Sequence, residues 1–154
     1  ASFDDPRLDL KIEDGIAYIK NEEADKYDIV VVDGSDPVGP AEGLFTEEFY
    51  QHCHKLVGET GILITQNGVP RLQPEELTDS VTFMQKLFTH ATCYLGDMPD
   101  YVGGNMAFGF ASNTNYLGGN MPNNTPVQDG LDYFNPDILK AAFALPNYVQ
   151  KLLR

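Results

Sequence analysis

Residues 27–33, YDIVVVD, constrain the fold more tightly than any other stretch. Ile29, Val30, Val31 and Val32 are consecutive, apolar and β-branched, with no polar residue alternating between them. That pattern predicts a strand covered on both faces, the situation of a strand in a parallel sheet flanked by helices. GILIT at 61–65 predicts a second such strand. Between the two, Thr46 stands ahead of Glu47 and Glu48, a capping residue followed by acids suited to the positive end of a helix dipole. Phe49, Cys53, Leu56 and Val57 then give that helix an apolar stripe.

The rest of the chain continues the alternation. LDLKI at 8–12 predicts a short strand ending at Glu13-Asp14-Gly15, and a short helix follows with Ile16 and Ile19 on one face. Pro74 opens a helix in which Leu77, Val81, Met84 and Phe88 share a face. ATCYL (91–95) and NMAFGFAS (105–112) predict strands flanking the loop GDMPDYVGG. Residues 113–130 are polar and turn-rich, an expected surface excursion. Asn135 caps a helix with Pro136 at its first position, and Pro146 ends it. Helices alternating with strands predict an α/β fold with a parallel sheet, whose ligands gather beyond the carboxyl ends of the strands. Asp14, Asp33 and Gln66 each fall at or just past such an end.

A length of 154 residues suits one domain with a core, and no apolar run reaches the roughly 20 residues of a membrane span. The first residues, ASFDDPRLDL, do not have the pattern of a signal peptide and read as an internal start in a longer chain. Cys53 and Cys93, without a CxxC, read as buried thiols. His52 and His54, two apart, point to different helix faces and are not a zinc pair. Asn123-Asn124-Thr125 reads as a chance match to the glycosylation pattern. The net charge is −13, and residues 1–48 hold 14 acidic against 4 basic side chains. Such a field repels nucleic acid and anionic membranes and attracts cations.

The loop DGSDPVGPAEG (33–43) lies where an α/β sheet keeps its chemistry. Pro37, Gly39 and Pro40 are ordinary turn residues. Asp33 and Asp36 are harder to explain as turn chemistry, because two like charges at the rim of a low-dielectric sheet need a cationic partner. No Lys or Arg occurs between Lys26 and Lys55, so the partner expected is a cationic ligand.

DGSDPVGPAEGLF resembles the signature loop of the spermidine synthases, the polyamine aminopropyltransferases. The segment ending in Asp14-Gly15, the strand end TQNG, the loop MPDYVGG and the stretch YFNPDILKAAFALPNYVQKLL resemble further family segments, in register. The resemblance implies a Rossmann-like, methyltransferase-type sheet, doubly wound and mostly parallel, of order 3-2-1-4-5-7-6, with LDLKI as strand 3 and YDIVVV as strand 4. The family's Gly-rich first turn and small N-terminal β domain have no counterpart, so residues 1–154 are expected to be the C-terminal part of one catalytic domain, with strand 3 orphaned and the fragment inactive alone.

By that resemblance the reaction moves an aminopropyl group from decarboxylated S-adenosylmethionine, a co-substrate, to putrescine, with no cofactor and no metal. Asp33 would be the proton acceptor. Asp33, Gly34, Ser35 and Asp36, with Gln66 and Tyr101, would form the diamine site, and Asp14, Gly15 and Pro40 the nucleoside site. A cytoplasmic homodimer or homotetramer is implied. Asp97 and Asp100 depart from the usual uncharged residues near Tyr101, which leaves another diamine or a longer polyamine open as acceptor. A methyltransferase on the same fold and a non-catalytic polyamine-binding subunit are the competing readings.

Overall fold

The computed structural model describes residues 2–117 and 130–154. Four strands, β1 (Ile29–Val32), β2 (Ile62–Gln66), β3 (His90–Asp97) and β4 (Asn105–Ser112), form one sheet in the order β1-β2-β4-β3. β1 and β2 are parallel, whereas β4 runs antiparallel to both β2 and β3. The sheet is therefore mixed, and a mostly parallel one is not what these residues build. Its order nevertheless reproduces the 4-5-7-6 side of the expected topology. A tight connection between β3 and β4 permits only an antiparallel pair.

Helices α1 (Gly15–Asn21), α2 (Glu47–Val57) and α3 (Pro74–Leu87) follow the expected capping chemistry. Asp14 Oδ1 accepts from the amides of Ile16 and Ala17 at 2.9 and 3.2 Å, and Thr46 Oγ1 accepts from Phe49 N. The α2 stripe of Phe49, Cys53, Leu56 and Val57 is buried, as are Leu77, Val81, Met84 and Phe88 at the predicted face of α3. Leu63 of β2 and Ala111 of β4 meet α2 and α3 in one core cluster, with Ile16, Ile19, Val30 and Val32 packed at its margin. A second cluster joins Leu77, Val81, Cys93 and Ala107 to Val149 of the C-terminal helix α5 (Asn147–Leu152). The helix begun by Asn135 and Pro136 is α4 (Pro136–Ala142), which stops before Pro146, with α5 starting just beyond that proline.

Two sequence expectations fail, the first for want of an edge partner and the second for want of a covering layer among the described residues. Residues 8–12 form no strand, and Leu8, Leu10 and Ile12 are exposed. β1 is not covered on both faces: Ile29 and Val31 stand 55% and 64% exposed. A strand needs a hydrogen-bonded neighbour, and β1 has one on a single side. Nothing among the described residues pairs with its other edge or packs on the face of Ile29 and Val31. That same face continues into an apolar groove of about 390 Å³ lined by Ile62, Ile64, Tyr94, Phe110, Leu139 and Phe143, among others. Asn123-Asn124-Thr125 and most of the expected excursion lie outside the described residues. Cys53 and Cys93 are free and buried, as expected, and burial pushes both thiols up to about 12.

Candidate active site

Strand register assembles the site. β1 and β2 pair with Val32 beside Thr65, so the next residues, Asp33 and Gln66, emerge side by side at the carboxyl rim. Gln66 also pairs with Phe108 of β4, and β3 meets β4 with Asp97 opposite Asn105. The loop that joins β3 to β4, residues 98–104, is thereby held at the same rim. Hydrogen bonds from Tyr101 N to Met98 O (3.0 Å) and Gly104 N to Tyr101 O (3.1 Å) fold that loop tightly.

Asp33, Gly34, Ser35, Asp36, Val38, Gln66 and Tyr101 line one open cleft of about 690 Å³. All six positions assigned to the diamine site are in it. Val38 is an addition, an exposed apolar side chain that the sequence offered no reason to single out. No lining residue is cationic, and neither aspartate forms an ion pair among the described residues. Asp14, Gly15 and Pro40 do not line this cleft. Asp14 caps α1, Gly15 is the first residue of that helix, and Pro40 lies in a 3₁₀ turn (Gly39–Phe45) that continues the loop toward α2.

Two amides hold the two carboxylates. In the orientation that satisfies its neighbours, Gln66 Nε2 donates to Asp33 Oδ1 at 2.6 Å and to the Gly34 carbonyl at 3.1 Å. Gln73, immediately before α3, donates through Nε2 to Asp36 Oδ1 at 3.1 Å and to Glu76 Oε1 at 2.7 Å. Its Oε1 accepts from Val69 N at 3.3 Å. Burial first, and the charge of Asp36 second, raise the Glu76 carboxyl above its ordinary value. Gly68 makes room for this arrangement. Its φ is +62°, and a Cβ there would lie 2.7 Å from Gln73 Oε1 and 3.0 Å from Glu76 Oε2.

The sequence pattern marks only Pro74 as the opening of this helix and gives Gln73 and Glu76 no role in the site. The one available signal is that Gln73 is a poor capping residue, and its side chain indeed makes no cap. Its reach to Asp36, 37 positions away, is a product of tertiary folding alone.

Chemically, the cleft offers two carboxylates, one phenol, the Ser35 hydroxyl and the Gln66 amide, which is already committed to Asp33. Tyr101 is 46% exposed and free to meet a ligand. Such a set suits a cation and can accept a proton. Among the described residues no group of three or more His, Cys, Asp or Glu side chains is arranged to hold a metal ion. No helix among them is long and apolar enough to cross a membrane.

Comparison with known proteins agrees with this geometry. The spermine/spermidine synthase domain family matches residues 1–118. A polyamine aminopropyltransferase of Ruegeria sp. (strain TM1040) is 47% identical over 98% of this chain and 55% of its own length. Polyamine aminopropyltransferase 1 of Pseudomonas aeruginosa is 41% identical over 96% of this chain and 53% of its own. The chain thus spans about half the length of the curated relatives it matches. A spermidine synthase crystallised with the transition-state analogue AdoDATO superposes with a TM-score of 0.90 at 32% identity, covering 99% of this chain and 53% of that one. The spermidine synthase of Thermotoga maritima superposes at 0.87 and 31% identity, covering 99% of this chain and 52% of its own. With a family match over residues 1–118 and close superposition on solved spermidine synthases, the chain belongs to the spermine/spermidine synthase family.

Proposed function

We propose that the complete protein carrying this chain transfers the aminopropyl group of decarboxylated S-adenosylmethionine to putrescine, giving spermidine and methylthioadenosine. The observation that carries the reading is the open cleft that Asp33 and Asp36 line together without any cationic side chain. In this reading residues 1–154 are the C-terminal part of the catalytic domain. Asp14, Gly15 and Pro40 contact the nucleoside.

The chemistry follows from the acceptor. A primary amine with a pKa near 10.4 is neutral in only a few molecules per ten thousand at pH 7, a handicap of roughly 4–5 kcal/mol. Only the neutral amine attacks the carbon beside the sulfonium. As the C–N bond forms and the C–S bond breaks, the thioether leaves without charge and needs no general acid. The proton lost by nitrogen passes to Asp33, which also stabilises the positive charge growing there. Asp36 holds the other ammonium and orients the nucleophile. Gln66 keeps the Asp33 carboxylate aimed along the rim.

In the complete protein, Asp33→Asn should lower kcat for methylthioadenosine release by about a hundredfold or more, the usual span for a removed general base. Turnover close to the unmodified rate would refute the assignment of Asp33. Comparing putrescine, cadaverine and a longer polyamine as acceptors, and S-adenosylmethionine as donor, tests the substrates separately.

A further inference from the structure

The geometry points to Gln73 as a positioning residue for acceptor recognition, one that fixes the Asp36 carboxylate at the cleft and is itself locked by Glu76 and the Val69 amide. This rests on the proposed function, which makes Asp36 the anchor for an ammonium group.

Gln73 has three hydrogen-bonding groups engaged here, and each points one way. Its two N–H bonds reach Asp36 and Glu76 through the same nitrogen, and its carbonyl oxygen takes the backbone N–H of Val69. Because both outer partners of that nitrogen are acceptors only, the amide cannot flip without setting its oxygen against two carboxylates. The orientation is therefore determined, and with it the direction in which Asp36 is pulled. Asp36 sits between Ser35 and Pro37 on an exposed loop, so its side chain needs such an outside tie. Otherwise a recognised ammonium would have to order the carboxylate as it bound.

Charge supports the same assignment. Asp36 and Glu76 are close enough for the charge of one to raise the pKa of the other. A single neutral amide between two carboxylates relieves their repulsion by hydrogen bonding, yet it leaves the negative charge at this end of the cleft. A Lys or Arg in its place would bind Asp36 as firmly and cancel the attraction for a polyamine. Gln thus orients the anchor without occupying it.

The test uses the complete protein. Calorimetry measures the affinity for putrescine and, separately, for methylthioadenosine, with turnover followed in parallel. Gln73→Met, close in shape but unable to hydrogen-bond, should weaken putrescine binding about tenfold, in keeping with a lost hydrogen bond to a charged group. Methylthioadenosine affinity should stay the same, which also reports an intact fold. Gln73→Glu, which retains size and adds a third charge, should weaken putrescine as well despite the greater negative charge. In an Asp36→Asn background, Gln73→Met should cost less than about twofold more, since a residue acting through Asp36 has nothing left to position. Unchanged putrescine affinity in Gln73→Met, equal losses for both ligands, or full additivity with Asp36→Asn would each overturn the inference. Absence of methylthioadenosine formation by the unmodified protein would instead overturn aminopropyl transfer, while putrescine binding would still judge Gln73.

Discussion

Asp33 is tied by the amide of Gln66 at the end of β2 and Asp36 by that of Gln73 just before α3, but only the second of those amides touches a third acid. That difference makes Glu76 a group whose charge costs stability. Burial and Asp36 hold the Glu76 proton more tightly in the folded chain than in the unfolded one. The folded state is accordingly favoured at low pH, and that advantage is lost as pH rises through the elevated pKa. Glu76→Gln keeps an oxygen for Gln73 to donate to and removes the charge. Its melting temperature should exceed that of the unmodified protein at pH 7, and the gap should close as pH falls below the ordinary Glu range. Thermal melts across that interval check it; a gap that widened on acidification would contradict the sign. Asp33, Asp36 and Gln66 were legible in the sequence because strand ends and loop composition mark a rim, and Tyr101 through the family resemblance of its loop. Gln73 and Glu76 were not, since nothing local records that the first turn of a helix will lie beside a loop 37 residues earlier.

Elements were legible where their signals are local. Thr46, Asn135 and Pro136 cap or open helices where their chemistry requires, and the apolar stripes of α2 and α3 are buried as their spacing predicts. Strand direction was less so, because an apolar run says that a strand is buried without saying which way its neighbour runs. β4 lies antiparallel between β2 and β3, and its junction with β2 depends on Asn67, fully buried just past the end of β2. Asn67 Oδ1 accepts from Gly109 N at 2.8 Å and from Thr65 Oγ1 at 2.9 Å. Thr65 continues to Ser80, which meets Tyr50, so this polar thread runs from the sheet into α3 and α2. Asn67→Ala leaves the Gly109 amide without its acceptor in a closed space. The cost should be about 1–3 kcal/mol, the usual penalty for a stranded buried donor, read from denaturant unfolding. A loss well under 0.5 kcal/mol would show that water or a shifted backbone replaces the side chain.

At the scale of the whole molecule, the acidic cleft and an uncovered apolar face belong to one sheet, in a chain that spans about half the length of its relatives. α1, α2 and α3 cover one side of the sheet, whereas on the other side Ile29 and Val31 stay exposed beside the groove of Ile62, Ile64 and Phe110. The outer edge of β1, which no described strand pairs, lies next to that apolar surface, a combination that invites association between chains. Residues 8–12 carry a strand's alternation without forming one, since no described strand pairs with them. A net charge of −13 opposes self-association at low ionic strength, and salt weakens that repulsion over roughly 8–10 Å at physiological concentrations. The isolated chain should therefore bind an apolar dye strongly and grow in light-scattering size as salt is raised, and it should form no methylthioadenosine from the two co-substrates. A single polypeptide of the relatives' full length that includes this chain should lose the dye binding and show turnover. An isolated chain that stayed monomeric in salt and turned over at the rate of the longer protein would mean that the cleft needs nothing beyond the elements described, and the uncovered face would then require a different explanation.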